Sequence, residues 1–254
     1  MENDTIQSEI ISLPSKGKLY PIEHPLSKGT IRIKYPTAKE EDILMSQNLV
    51  QKGLVIDEFL KSLILTEGVN LDDIMIGDEN AVMYAARILA YGNKYEIEIA
   101  CPSCYKKQNV EIDLNKIDEK DVDISKIEQG VNSFNFELPL SKKVVTFKFL
   151  SHGDENNVQL EAKKLSKFDK SSDHQLTTRL KKTIIAIEGD TSQVKINKFV
   201  DSMLLRDSVE LKRYILKIMP DINAKFNFEC EECDYTQEVP IPLGVTFLWP
   251  DAQL

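Results

Sequence analysis

The sequence predicts an α+β protein made of two tandem pseudo-repeats of helices plus β-hairpins. Three observations carry this reading: a window that aligns with a second stretch far along the chain, a switch in apolar period between two and three-to-four, and a cysteine pair at the same place in both windows. Tyr95–Leu114 reads YEIEIACPSCYKKQNVEIDL and Ala224–Leu243 reads AKFNFECEECDYTQEVPIPL, and the two align without a gap. Cys101/Cys230, Cys104/Cys233, Gln108/Gln237, Val110/Val239, Ile112/Ile241 and Leu114/Leu243 are identical pairs. The same register sets Asp78 on Asp207, Val82 on Leu211 and Leu89 on Ile218. Further upstream, past short insertions, Leu63-Ile64 with Glu67-Gly68 meets Ile184-Ile185 with Glu188-Gly189. Leu13-Pro14 with Ser15-Lys16 meets Leu138-Pro139 with Ser141-Lys142.

Each unit therefore opens on a strand stopped by Leu-Pro, followed by an apolar strand through Ile31, Ile33 and Tyr35 or through Phe147 and Phe149. Helices come next. Ile43, Leu44 and Val50, then Ile56, Phe59, Leu60 and Leu63, recur at helical spacing. Asp78 and Asp207 stand where N-caps belong, and Tyr91-Gly92 suits a helix end with glycine as the left-handed stop. Residues 95–99 and 226–228 alternate in polarity, the pattern of half-buried strands, so each CxxC sits at a hairpin turn. The expected boundaries are 1–114 for the first unit, 115–132 for an acidic linker, 133–243 for the second unit and 244–254 for an apolar tail.

The cysteines carry the chemistry. Two C-x-x-C pairs are too few for a disulfide scaffold, and a CxxC turn aims both sulfurs to one side. Two such knuckles close a tetrahedron, so Cys101, Cys104, Cys230 and Cys233 are the expected ligands of one shared structural Zn2+ in a ribbon-like site. A thioredoxin-like redox pair needs its CxxC at a helix N-terminus, and strands flank both pairs here. A site that has lost its metal is the remaining alternative.

Other classes find little support. The chain has 254 residues and a net charge of −9, which disfavours unspecific binding to phosphate backbones. Its start, MENDTIQSEI, lacks the basic and apolar regions of a signal peptide, and no apolar run is long enough to span a bilayer, so an intracellular product is expected. No phosphate-cradling loop, dinucleotide fingerprint, nucleophile elbow or HExxH is present. His24, His152 and His174 are expected as solvated surface residues, and Asp72, Asp73 and Asp78 as turn and cap residues, so no enzyme is expected. The tail Val245, Phe247, Leu248, Trp249, Pro250 either folds back on its own unit or anchors in a partner. Phe247, Leu248 and Trp249 are the candidate partner-binding residues, because buried aromatics dominate interface energetics.

Four strings, taken in order, resemble a known family. They are Ile11-Ser12-Leu13-Pro14-Ser15-Lys16-Gly17-Lys18-Leu19-Tyr20-Pro21, the acidic helix start Thr37-Ala38-Lys39-Glu40-Glu41-Asp42, Gly77-Asp78, and Arg87-Ile88-Leu89-Ala90-Tyr91-Gly92 leading into the CxxC hairpin. The first half, about residues 8–114, resembles T4-type phage baseplate hub and hub-assembly proteins. The second unit follows through the repeat and departs at Lys217-Ile218-Met219-Pro220, which replaces the Ala-Tyr-Gly step. The resemblance implies a structural or assembly protein of a contractile-tail baseplate hub. It would work by contact with other tail or hub proteins, in the host cytoplasm during assembly and in the virion tail baseplate. The alternative from a different class is a zinc-ribbon nucleic-acid-binding regulator. Tyr105, Lys106 and Lys107 at the first knuckle suit that role, whereas Glu229, Glu231, Glu232 and Asp234 at the second oppose it.

Overall fold

The chain alternates small antiparallel sheets with helices, an α+β arrangement, in a computed structural model that describes residues 6–169 and 173–249. Strand β1 (Ser8–Ser12) pairs antiparallel with β2 (Thr30–Lys34), Ile11 opposite Ile31. Helix α1 (Ala38–Leu44) starts in a capping box. The Thr37 hydroxyl accepts from the Lys39 N–H, and Glu40 accepts from the Thr37 N–H at 2.9 Å. Helices α2 (Gln47–Lys52) and α3 (Val55–Leu63) follow, separated by Gly53 at φ +72, which closes α2. The expected apolar face is real: Leu44, Phe59, Leu60 and Leu63 are all buried. Helix α4 (Ile76–Tyr91) leads into the hairpin β3 (Lys94–Ala100)–β4 (Lys107–Asp113).

The second half also runs from paired strands through helices to a hairpin, with one strand more among its helices. β5 (Phe134–Glu137) and β6 (Val144–Phe147) pair, then α5 (His152–Phe168) starts in a second capping box, Ser151 with Asp154. α6 (Gln175–Thr183) runs into β7 (Ile184–Ile187), which adds to β6 and completes a three-stranded sheet. α7 (Gln193–Asp201) and α8 (Leu205–Ile218) precede the hairpin β8 (Lys225–Glu229)–β9 (Thr236–Pro240), and α9 (Val245–Leu248) ends the described chain.

Asp78 and Asp207 differ from expectation. α4 starts after Met75 and α8 after Leu204, so both aspartates lie inside the first turn rather than at the N-cap. Their carboxylates instead hold the Leu-Pro turn of the same half. Asp78 accepts from the Ser15 N–H at 2.9 Å, the Ser15 hydroxyl at 2.6 Å and the Tyr20 hydroxyl at 2.7 Å. Asp207 accepts from the Leu140 and Ser141 N–H groups at 2.7 and 3.0 Å. Burial pushes the Asp78 carboxyl up against the pull of those donors, whereas on Asp207 the two N–H groups outweigh burial and hold it down.

Two cores result, and they interlock. The first gathers Leu13, Ile31, Ile33, Phe59, Leu60, Val82 and Tyr95 together with Ile222, Ile241, Phe247 and Leu248 from the chain's end. The second gathers Val145, Phe147, Phe149, Leu180, Ile184 and Leu211 together with Leu19 and Ile127. The stretch predicted as an acidic linker is a packed strap. Lys120 N–H donates to the Asp221 carbonyl, Asn223 N–H to the Asp118 carbonyl, and the Gln129 amide to the carbonyls of Gly17 and Tyr20. At the seam between halves, Ile76 N–H donates to the Leu150 carbonyl and His152 N–H to the Ile74 carbonyl. A Cβ on Gly77 would lie 1.9 Å from the Pro220 carbonyl oxygen, so only glycine lets α4 approach that close.

His152 contradicts its sequence assignment as a surface residue. It is 5% exposed, with Nδ1 3.0 Å from Glu79 and Nε2 3.3 Å from Asp57. No local pattern announces this, because both carboxylates come from helices of the other half.

Candidate metal centre

The two CxxC hairpins are built alike. Alternation pairs Ile97 with Val110 in β3–β4 and Phe226 with Val239 in β8–β9, which sets turns at 101–106 and 230–235. In the first turn Cys101 N–H donates to the Lys106 carbonyl, and Tyr105, at φ +61, returns its N–H to the Cys101 carbonyl. In the second, Cys230 N–H donates to the Tyr235 carbonyl.

The tips converge. Cys101 Sγ lies 3.8 Å from Cys233 Sγ, Cys104 Sγ lies 3.6 Å from Cys230 Sγ, and all four sulfurs fall within 4.8 Å of one another. A regular tetrahedron with metal–sulfur bonds of about 2.3 Å has sulfurs about 3.8 Å apart, so the spacing fits a dication with four thiolate ligands. Among the described residues this is the one convergent cluster of three or more potential metal-ligating side chains.

The electrostatics point the same way. Burial raises the Cys101 thiol, but N–H donors from Cys104 and Ser103 and the neighbouring sulfurs outweigh it and bring it down to about 7. At Cys104 the Lys106 N–H favours the thiolate, yet burial and the other sulfurs prevail and push the thiol up to about 12. The first thiolate forms readily and the later ones are opposed by like charge. A bound dication removes that opposition, and with four thiolates it has no open position for substrate or water.

Gln108 is the residue that sequence reasoning did not place. Its amide N–H donates to the Glu229 carbonyl at 2.9 Å while its oxygen accepts from the Glu231 N–H at 3.0 Å. One side chain of the first hairpin thus clasps both sides of Cys230. Its identity with Gln237 in the aligned windows was the available signal.

The tail lies elsewhere. Phe247 is 0% exposed, stacked on Tyr84 with centroids 5.8 Å apart and edge-on to Tyr95 at 5.1 Å. Leu248 is buried in the same core, and Trp249 packs half-buried at its margin. Pro250, expected as part of the tail, lies outside the described residues. Phe247→Ala is expected to cost about 3–5 kcal/mol through lost transfer energy and an unfilled cavity. Urea denaturation reads this directly, and a loss below about 1 kcal/mol would show the ring to be dispensable to the core.

Among the described residues, no helix is long and apolar enough to cross a membrane. No curated protein and no solved structure matches the chain. The family model described as T4 bacteriophage base plate protein matches residues 6–249. Spanning both halves, both CxxC hairpins and the tail up to Trp249, that match establishes that the chain belongs to the T4 bacteriophage base plate protein family.

Proposed function

We propose that this protein is a noncatalytic structural or assembly protein of a contractile-tail baseplate hub. It acts through protein–protein contacts and is stiffened by one structural zinc on Cys101, Cys104, Cys230 and Cys233. The observation that carries the zinc reading is the meeting of two hairpin tips distant in sequence, with sulfur spacings of 3.6 and 3.8 Å. The family supplies the context of a phage tail and of partners drawn from other tail proteins. The protein would work in the host cytoplasm during assembly and in the tail baseplate. Phe247 and Leu248 would hold the tail to the body, leaving Trp249, at the margin of the first core, to meet a partner.

The organisation proposed is two copies of one α+β unit, 1–114 and 133–243, joined by the strap 115–132 and followed by the tail 244–254. Matched local devices support it. Lys34–Glu40 beside the Thr37 cap is answered by Lys148–Asp154 beside the Ser151 cap, and Asp78 on the first Leu-Pro turn by Asp207 on the second.

The test is genetic and compositional. Phage lacking this chain are expected to yield tails without complete baseplates, and complementation should restore them. Intact, infectious particles in its absence would overturn the proposal. A gel shift with single- and double-stranded probes provides the second arm. Micromolar binding with a steep salt slope would favour the nucleic-acid alternative, although Glu229, Glu231, Glu232 and Asp234, all exposed at the second knuckle, argue against it.

A further inference from the structure

α5 is amphipathic in an unusual sense. Val158 and Ala162, 1% and 2% exposed, face the body, and its ion pairs with neighbouring elements, Lys148–Asp154, Arg179–Glu155 and Lys182–Glu161, tie down the flanks. At 100° per residue the opposite side carries Leu160, Lys164 and Phe168 in line, with Lys163 and Lys167 beside them. Leu160 is 56% exposed and Phe168 92%. The three lysines are exposed and have no ion-pair partner among the described residues. A scattered exposed leucine needs no explanation. A stripe of two large apolar groups framed by three exposed cations, in a chain of net charge −9, is a surface with a preferred counterpart.

The counterpart is present on the same molecule. Around the second knuckle, Glu229, Glu231, Glu232 and Asp234 are exposed and likewise without ion-pair partners among the described residues. The adjoining first knuckle offers Tyr105, 81% exposed, and exposed Pro102. Lys106 is the opposing charge there, since Lys107 is engaged by Glu98 at 2.7 Å. The tip thus pairs an apolar spot with four carboxylates, as the α5 stripe pairs an apolar spot with three ammonium groups.

We propose that the outer face of α5 (Leu160, Lys163, Lys164, Lys167, Phe168) docks on the acidic knuckle tip of a second copy of this chain, giving a head-to-tail contact. Such a contact is heterologous, so it generates a ring or an open row rather than a closed twofold dimer. It needs the hairpin tips held together but does not depend on the baseplate reading, and its test is separate from that of phage assembly.

Sedimentation velocity on the zinc-loaded full chain reads the contact. Wild type is expected to associate with rising concentration at about 0.1 M salt and to dissociate toward about 1 M, where the Debye length falls from ~10 to ~3 Å. K163E/K164E/K167E and E229K/E231K/E232K, each checked for zinc content and cooperative melting, should each weaken self-association at least tenfold. An equimolar mixture of the two variants should associate again, because the reversed charges complement each other across copies. L160S/F168S, which leaves every charge in place, should also weaken it. A wild type that stays monomeric at low salt, or charge-reversed variants that associate like wild type, would overturn the proposal. So would sedimentation of the monomer with anionic phospholipid vesicles through the same lysines, which would assign the stripe to a lipid surface.

Discussion

Replacing Cys101 with serine is expected to lower stability by several kcal/mol and to release about one equivalent of zinc per chain. The size follows from what the metal does. Apparent binding free energies at structural four-ligand zinc sites are about 10–16 kcal/mol near neutral pH, and whatever part is absent in the unfolded chain becomes folding free energy. The four cysteines come from turns at 101–106 and 230–235, so a metal bound by them would fix two segments that are far apart in the unfolded chain. Cys101 is fully buried, which leaves a serine hydroxyl there without water to compensate it. Cys230→Ser should behave alike, since both sulfurs belong to one cluster, and the double mutant should add little. Chelation of wild type should reproduce the loss, and Gln108→Ala should show a smaller one because only the clasp on the second knuckle goes. Metal analysis by mass spectrometry, with thermal melting on the same samples, decides the matter. Single mutants that melt like wild type with zinc retained would sink the shared site.

Local determinants explain why so much can be read from the chain. The CxxC turns and the alternation of 95–99 act within a few residues of themselves, and the structure shows hairpins there. Aligning the two cysteine windows then brings distant ligands into one hypothesis. What the sequence hides is long-range polar geometry. Asp78 looks like a cap because Asp before an apolar run commonly is one, but its true partners, Ser15 and Tyr20, are brought to it only by the tertiary fold. Gln108 shows as an identity in the alignment without disclosing that its amide spans two hairpins. Phe247 and Leu248 read first as a tail folded back on its own unit and second as an anchor in a partner, because an apolar side chain does not state which pocket it fills.

His152 is the sharpest case, and its replacement carries the other large expected effect. The ring lies at the start of α5 between Asp57 of α3 and Glu79 of α4, so one cation joins the two halves. Asn156 adds a bond to Asp57 at 3.1 Å. Burial alone would lower the imidazolium, but hydrogen bonds and charge from Asp57 and Glu79 outweigh it and raise the group to about 10. On Asp57 burial raises the carboxyl, and the bond and charge of His152 outweigh it and bring it down. The signs follow from linkage. The raised histidine contributes stability that is complete below about 6.5, its ordinary value, and is lost as pH climbs through about 10. The depressed aspartate contributes stability present above its ordinary 3.8 and lost as pH falls through its folded value. Wild type should therefore hold a plateau between about 4 and 6.5, weaken steadily as pH climbs from there toward about 10, and lose no more of this contribution beyond it. His152→Gln fills much of the space but leaves two buried carboxylates without their cation, which costs about 3–5 kcal/mol at pH 7. With the imidazolium gone, burial is the dominant influence on Asp57, so its carboxyl rises and the variant should gain stability as pH falls from about 6 toward 5, where wild type has reached its plateau. His152→Gln/Asp57→Asn should recover part of the loss by removing one stranded charge. Urea midpoints measured from pH 5 to 10 test each step, and parallel pH profiles for wild type and His152→Gln would show that the ring fills space without carrying charge.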